Sequence, residues 1–558
     1  MAGNMAMLDL SKPLPSFSRL SSPSSWLTPA SMTANRRTFL KQMGSLTVGS
    51  SLGSWAWAGP AAQGLPRSTP EAEGVSSSGI LAFLDAIAHS KHELHSFMML
   101  RHGRVVAEGW WSPYAAPLKH SMYSMSKSFT ATAIGFAVAE GRLGVDDHVA
   151  TLFPQDLPEP GSENLAVLKV KHLLTMSVGN EHEPTSAVIK EENWVKAFLE
   201  QPITHEPGSV FMYNSSASYM LSAIITKITG QTVIDYLTPR LFEPLGITGM
   251  TWETCPRGIN TGGWGLSIPT EGLAKFGQLY LQKGKWDGEP VLPAQWVREA
   301  TTFKIQQPDP AKPSRPAAQN DWLQGYGYQF WRSQHGAFRG DGAFGQYTIV
   351  MPRQDAVIVM TGESHDMQGE LDLVWQHLMP AIKNKSSLPA DADSQTNLNQ
   401  ALKSLTLTPP RGRPSLPSAA HLSGRTFHLD ANNLGLTSAS FAFQDNACLF
   451  TATSEGAQHV VTCGMESWQL DETNFPGTPP RLISGGTPKA QPPSKLAASA
   501  TWRDEHTLEM TWRYYETPHH DTVTCKFDGD QVSISFLNSI AALGGKTKDT
   551  RAPLTGRA

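Results

Sequence analysis

Ser124 and Lys127 stand three residues apart in Tyr123-Ser124-Met125-Ser126-Lys127-Ser128-Phe129-Thr130. Three residues is nearly one helical turn, so on a helix the amine and the hydroxyl share a face and can touch. A serine hydroxyl at its free pKa is a poor nucleophile and needs a base, or a field that favours the alkoxide. A desolvated lysine can be that base. Burial lowers its pKa by stripping water from the charged form, and the positive end of a helix also favours negative charge on Ser124. Every other lysine in the chain has something other than Ser three residues before it. The residues that follow, Ala131 to Ala139, are apolar with almost no charge, which predicts a helix buried nearly all round and stopped at Gly141. On a solvated surface helix the same spacing would carry no chemistry.

Two further stretches could complete such a site. Glu206-Pro207-Gly208-Ser209-Val210-Phe211-Met212-Tyr213-Asn214-Ser215 places a tyrosine in a polar loop just before a helix. A phenol there can accept or relay a proton if a nearby cation lowers its pKa from about 10. The plain alternative is a packed aromatic whose hydroxyl finds a partner. Phe338-Arg339-Gly340-Asp341-Gly342-Ala343-Phe344-Gly345-Gln346 directly precedes a strand pattern. Its glycines permit close backbone approach, so an N–H such as that of Ala343 could join that of Ser124 in holding a developing oxyanion; an ordinary glycine-rich turn is the alternative.

Around these stretches the pattern predicts an α+β fold. Residues 77 to 90 have helical apolar spacing with serines at the start, and Ser96–Leu100 and Arg104–Gly109 flank His102-Gly103 as a hairpin. A second strand pair, Gln346–Pro352 and Asp355–Met360, is followed by a helix over Leu371–Ile382. Between the pairs, residues 124 to 300 read as helix and loop. The economical architecture is one antiparallel sheet built from both ends of residues 59–384, with helices packed on it and a helical insert between. Ser124 then lies at the boundary of sheet and insert, where sites are favoured. Residues 385–420 are polar and proline-rich, as a linker would be. From 421 to 545 short alternating strands with glycine turns predict an all-β barrel or sandwich, with a Pro-rich loop over 476–493 and a tail at 546–558.

Taken together these residues resemble the serine β-lactamase and penicillin-binding protein superfamily, in the branch of class C β-lactamases, D-aminopeptidases and family VIII esterases. The resemblance rests on Ser124 to Ala131, Ala139-Glu140-Gly141-Arg142-Leu143-Gly144-Val145-Asp146-Asp147, Lys171-His172-Leu173-Leu174-Thr175 and Pro207-Gly208-Ser209 leading to Tyr213. Gly265-Leu266-Ser267, Gly272 to Gly277 and Gly325-Tyr326-Gly327-Tyr328 match as well, and the whole covers about residues 66 to 384. It implies the β-lactamase/transpeptidase-like fold and a cofactor-free serine hydrolase in which Ser124 is acylated while Lys127 and Tyr213 share the proton transfer. Ser215, Asp341, Gly342 and Ala343 fall at substrate-binding positions. Two departures matter: Ser215 stands where the family has Asn, and Gly340-Asp341-Gly342 has no cation where the family has Lys or His. Arg339 is adjacent, but alternation along a strand turns it away from that position. These departures shift the expectation from an efficient β-lactamase acting on penicillins, which carry a carboxylate, toward an esterase or amidase, with β-lactams and D-amino-acid peptides kept within the substrate range; a penicillin- or cell-wall-binding protein with little turnover is the alternative. The resemblance to D-aminopeptidases also suggests that the β domain covers the cleft.

The chain of 558 residues has 17% charged residues and a formal charge of −4. Residues 1–58 hold five Lys or Arg against one Asp, so without them 40 basic and 48 acidic residues give −8. That balance argues against nucleic-acid binding. Asn35-Arg36-Arg37-Thr38-Phe39-Leu40-Lys41, a weakly apolar stretch and Ala56-Trp57-Ala58 look like a twin-arginine export signal with its cleavage site, with Met32 as an alternative start. The expectation is a periplasmic or secreted protein that uses the twin-arginine machinery and has no stable membrane anchor. Four cysteines are too few for a disulfide scaffold and lack metal-ligand spacing, although an oxidising compartment permits one bridge among Cys448, Cys463 and Cys525.

Overall fold

Leu94–Arg101 is buried along its whole length, and His102 and Gly103, both in the left-handed region, turn the chain back into Arg104–Trp110. The computed structural model describes residues 64–558 apart from 312, 417, 418, 445 and 484–492. The twin-arginine stretch and Met32 lie outside the described residues, as does much of the Pro-rich loop. The hairpin is one edge of a six-stranded sheet in the order Arg104–Trp110, Leu94–Arg101, Ala356–Gly362, Gln346–Met351, Phe338–Gly342, Trp331–Arg332. All neighbouring pairs are antiparallel. Strands from both ends of the segment therefore share one sheet.

Alternation sorts the side chains between two cores. Phe97 and Met99 join Ile80, Phe83, Ile349, Ile358, Leu371 and Trp375 on one face. Met98 and Leu100 join Phe129, Ile134, Phe276, Val350 and Val357 on the other. Phe129 stacks on Phe276 at 3.9 Å, which ties the helix that begins at Ser126 to the sheet side of the insert.

The C-terminal helical run starts at Met367, four residues earlier than expected, because the Asp366 carboxylate caps it by accepting the Gly369 N–H at 3.0 Å. The stretch expected as a linker contains the helix Ala392–Lys403. Its Leu398, with Ala401, Leu402 and Leu405, packs into the first core. That i, i+3, i+4, i+7 stripe was masked by the prolines at both ends of the segment.

The C-terminal strands close into a barrel. Nine strands run in the order Ala457–Met465, Ala447–Ser454, Leu436–Gln444, Thr426–Leu429, Leu554–Arg557, Gln531–Asn538, His520–Asp528, Thr507–Arg513, Ser494–Trp502. Parallel pairing of Gly464 with Ser499 and Met465 with Ala500 completes the ring, and Gln469–Thr473 takes the rest of that edge. The 546–558 segment, expected as a tail, supplies the strand Leu554–Arg557 between Gln531–Asn538 and the sequence-remote Thr426–Leu429. Leu554-Thr555-Gly556-Arg557, with a glycine and an arginine and only one β-branched residue, lacks the composition that announces a strand. Phe441, Phe450, Trp502, Trp512 and Phe527 fill the interior. All four cysteines are free and buried, and burial pushes the Cys463 thiol up to about 12. The barrel is held by its apolar core, not by a bridge.

Both sheets belong to one compact unit. Across their junction Arg513 reaches Glu93 at 2.7 Å, the Tyr114 hydroxyl donates to the Thr517 carbonyl at 2.9 Å, and the Ser121 N–H donates to the Glu516 carbonyl at 3.0 Å. No described helix is long and apolar enough to cross a membrane.

Candidate active site

Ser124 sits in a single 3₁₀ turn, Tyr123–Met125, that runs into the helix Ser126–Ala139. Residues Ser126 to Ala137 are all buried, and the helix ends in a Schellman arrangement: Gly141 is left-handed and the Arg142 N–H donates to the Ala137 carbonyl at 2.9 Å. The turn itself is strained, because Tyr123 has φ +45° with a side chain to accommodate. It is held at both ends. The Met122 N–H donates to the Leu266 carbonyl at 2.8 Å, and the Leu266 N–H donates to Ser126 Oγ at 3.1 Å.

Lys127 is 1% exposed. Its Nζ lies 3.0 Å from Ser124 Oγ, 3.1 Å from Ser215 Oγ and 2.7 Å from the Gly263 carbonyl. Burial lowers its pKa to about 7, opposed by the charges of Glu183 and Asp341. A neutral amine has two N–H donors and a lone pair. With the donors on Gly263 and Ser215, the lone pair points at the remaining partner, the Ser124 hydroxyl, as a general base requires.

Tyr213 completes the group. Lys127 Nζ stands 4.8 Å from its ring centroid, and the ring stacks on Trp331 at 5.5 Å. Burial raises its phenol pKa and the Asp341 charge adds to that, while a hydrogen bond with the Ser124 side chain opposes the rise. The phenol is therefore a neutral donor or relay near pH 7, and Lys127 is the group that titrates there. Asn214 is occupied as the cap of the helix Ser215–Thr229, its Oδ1 accepting from the Ala217 N–H at 2.9 Å and its Nδ2 donating to Asn180 Oδ1 at 3.1 Å. The Ser215 hydroxyl faces Lys127, and the Ser215 N–H donates to Glu183 Oε1 at 3.0 Å.

The strand Phe338–Gly342 presses directly on the turn that carries Ser124. A Cβ on Gly340 would fall 2.3 Å from Met125 Sδ, and one on Gly342 would fall 2.0 Å from the Met122 carbonyl. Two glycines thus let the strand lie against the turn and bring Ala343 beside it. Asp341, expected as a substrate contact, is buried on the opposite side of the strand and ion-paired with Arg339 at 2.9 Å. Alternation puts residues 339 and 341 on one face. Arg339 Nη1 also donates to Ser333 Oγ at 2.7 Å and to the Asp321 carbonyl at 3.0 Å, so this cation is committed to the protein. Gly342→Ala is expected to lower kcat by about 100-fold, since forcing the strand off the turn misplaces the reacting groups by a fraction of an ångström or more; a variant with wild-type kcat would show that the close approach is dispensable.

Several participants left no sequence signal. Gly263 contributes only a carbonyl. Glu183 lies in a loop without a motif. Gln329, at φ +60°, ties three helices: its carbonyl accepts from Ser128 Oγ at 2.8 Å, its Oε1 from Ser218 Oγ at 2.6 Å, and its Nε2 donates to the Leu173 and Leu174 carbonyls. Its place at the end of the Gly325 to Tyr328 run was the available hint. A small cleft of about 50 Å³ beside the turn is lined by Tyr123, Glu253 and Trp264 and, from the barrel, by Pro480, Arg481 and Thr517. Among the described residues Glu93, Glu363 and His520 lie close enough to share a metal ion. Arg513 is ion-paired with Glu93 and His519 is hydrogen-bonded to Glu363, so both carboxylates already have protein partners.

The Beta-lactamase family model matches residues 94–375. The 6-aminohexanoate-dimer hydrolase of Paenarthrobacter ureafaciens is 25% identical over 288 residues, 47% of this chain and 71% of that protein. Protein flp of Staphylococcus aureus (strain N315) is 29% identical over 141 residues, 24% of this chain and 28% of that protein. Among solved structures, a penicillin-binding protein homologue from Caulobacter crescentus aligns with a TM-score of 0.45 at 17% identity, covering 57% of this chain and all of that one (100%).

Proposed function

The chain belongs to the Beta-lactamase family of serine hydrolases, and from that premise we propose that it cleaves a small ester or amide through an acyl-enzyme on Ser124. The observation that carries this reading is the buried Lys127 amine, 3.0 Å from Ser124 Oγ with its pKa lowered to about 7. Lys127 takes the Ser124 proton as Oγ bonds to the substrate carbonyl carbon. The N–H groups of Ser124 and Ala343 hold the oxyanion, and the proton passes through Lys127 and Tyr213 to the departing alcohol or amine as its bond to carbon breaks. Water then repeats the sequence on the acyl ester and frees Ser124.

The charges around the site support a neutral or amine-bearing substrate over one with a carboxylate. Gly340 replaces the cation, Arg339 is bound to Asp341, and Glu183 sits exposed beside Ser215. Similarity to a protein named for hydrolysis of the 6-aminohexanoate dimer supports an amide among the substrates. Arg36-Arg37 and Ala56-Trp57-Ala58 support export by the twin-arginine route. The test is a ranking: short-chain nitrophenyl esters should exceed a chromogenic cephalosporin in kcat/KM by about tenfold or more, because a missing charge-assisted hydrogen bond is worth about 1.5–3 kcal/mol. The reverse order would overturn the ester or amide assignment.

A further inference from the structure

The barrel sends one side chain to the nucleophile turn. His519 is fully buried, and its Nε2 lies 2.5 Å from the Tyr123 hydroxyl, one residue before Ser124. Its Nδ1 is held by Glu363 Oε1 at 2.6 Å, with Ser539 Oγ at 3.2 Å. The same imidazole also meets Phe344, the residue after Ala343, edge-on at 4.9 Å. Tyr123 and Phe344 are themselves edge-on at 5.5 Å, so three rings close on one another. Both flanking residues are strained: Tyr123 has φ +45° and Phe344 has φ +69°. The Ser364 N–H, next to Glu363, donates to the Phe344 carbonyl at 3.0 Å.

Each left-handed residue adjoins one of the two N–H groups assigned to the oxyanion, and neither turn would hold that conformation unaided. We propose that His519 is a positioning residue for the oxyanion site, so that the C-terminal barrel completes the catalytic apparatus. This rests on Ser124 being the nucleophile. His519 touches neither substrate nor Ser124; it sets the spacing of two backbone donors through Tyr123 and Phe344, with Glu363 fixing the imidazole.

The test uses the full chain with His519→Ala, His519→Gln and Tyr123→Phe. Steady-state kinetics, inhibition by a phenylboronic acid that forms a tetrahedral adduct, and melting temperature are read for each. In His519→Ala kcat should fall about 30- to 100-fold with KM within about threefold, and boronate affinity should fall in parallel, as expected for donors needed only when the oxyanion exists. His519→Gln, whose amide can reach the Tyr123 hydroxyl, should recover about tenfold of that loss. Tyr123→Phe keeps the ring packing and should fold, with a lower melting temperature because the buried His519 Nε2 loses its partner, and should lose kcat and boronate affinity; it decides the matter should His519→Ala fail to fold. A loss confined to KM, a loss that Gln does not reduce, or wild-type kcat in Tyr123→Phe overturns the proposal. Labelling of Ser124 by a fluorophosphonate in the unmodified protein is the control. Its failure would remove the nucleophile assignment, whereas labelling with indifferent variants would remove only the role of His519.

Discussion

Ser124→Ala is expected to lower kcat/KM for any ester or amide that the protein hydrolyses by about 10⁴-fold or more, since losing the nucleophile of a covalent mechanism leaves only binding and oxyanion contacts. The hydroxyl lies 3.0 Å from Lys127 Nζ at the start of a helix that is packed by other residues, so the variant should fold as the parent does. Intact-protein mass after exposure to a fluorophosphonate measures this directly. The parent should gain one phosphonyl adduct and the variant none. An adduct on the variant, or turnover within about tenfold of the parent, would place the nucleophile elsewhere.

Lys127→Met and Lys127→Arg should each lose about 10³-fold in acylation rate, in the range that a positioned general base contributes. The Arg variant is the informative one. It retains a cation but cannot be deprotonated near neutrality, so it separates base catalysis from simple charge stabilisation. The pH profile has a definite sign. Lys127 is lowered to about 7 by burial, and the amine is reactive only when neutral, so the rate should rise with pH and reach half its plateau near 7. Because Tyr213 interacts with the same hydroxyl, the measured value belongs to the Ser124, Lys127 and Tyr213 group as a whole. A flat profile between about pH 5.5 and 8.5, or an Arg variant with undiminished acylation, would end the assignment of Lys127 as base.

The helix after Ser124, the hairpin at His102-Gly103 and the barrel strands were legible because their signals are local: apolar periodicity, turn residues and alternation within a few residues. The Ala392–Lys403 helix and the strand Leu554–Arg557 were not. The first has its apolar stripe inside a polar, proline-rich stretch, and the second becomes a strand only because Gln531–Asn538 and the sequence-remote Thr426–Leu429 leave a gap for it. At the site, the pairing of Ser124 with Lys127 followed from helical geometry. Asp341 reads in the sequence as a substrate contact, whereas the structure pairs it with Arg339 and buries both, because burial depends on Asp321, Ser333 and the rings packed around them.

By itself the sequence determined that Ser124 and Lys127 meet, because three residues on a helix set their separation whatever surrounds them. It also determined the two glycines that admit a strand to the turn. Only the tertiary structure decided that the amine is dry enough to be a base, that Gly263 and Ser215 take its donors, and that a histidine 396 residues beyond Tyr123 reaches that residue, next to Ser124. Those facts depend on desolvation and on contacts between segments remote in the chain, and neither quantity is a property of any short stretch of residues.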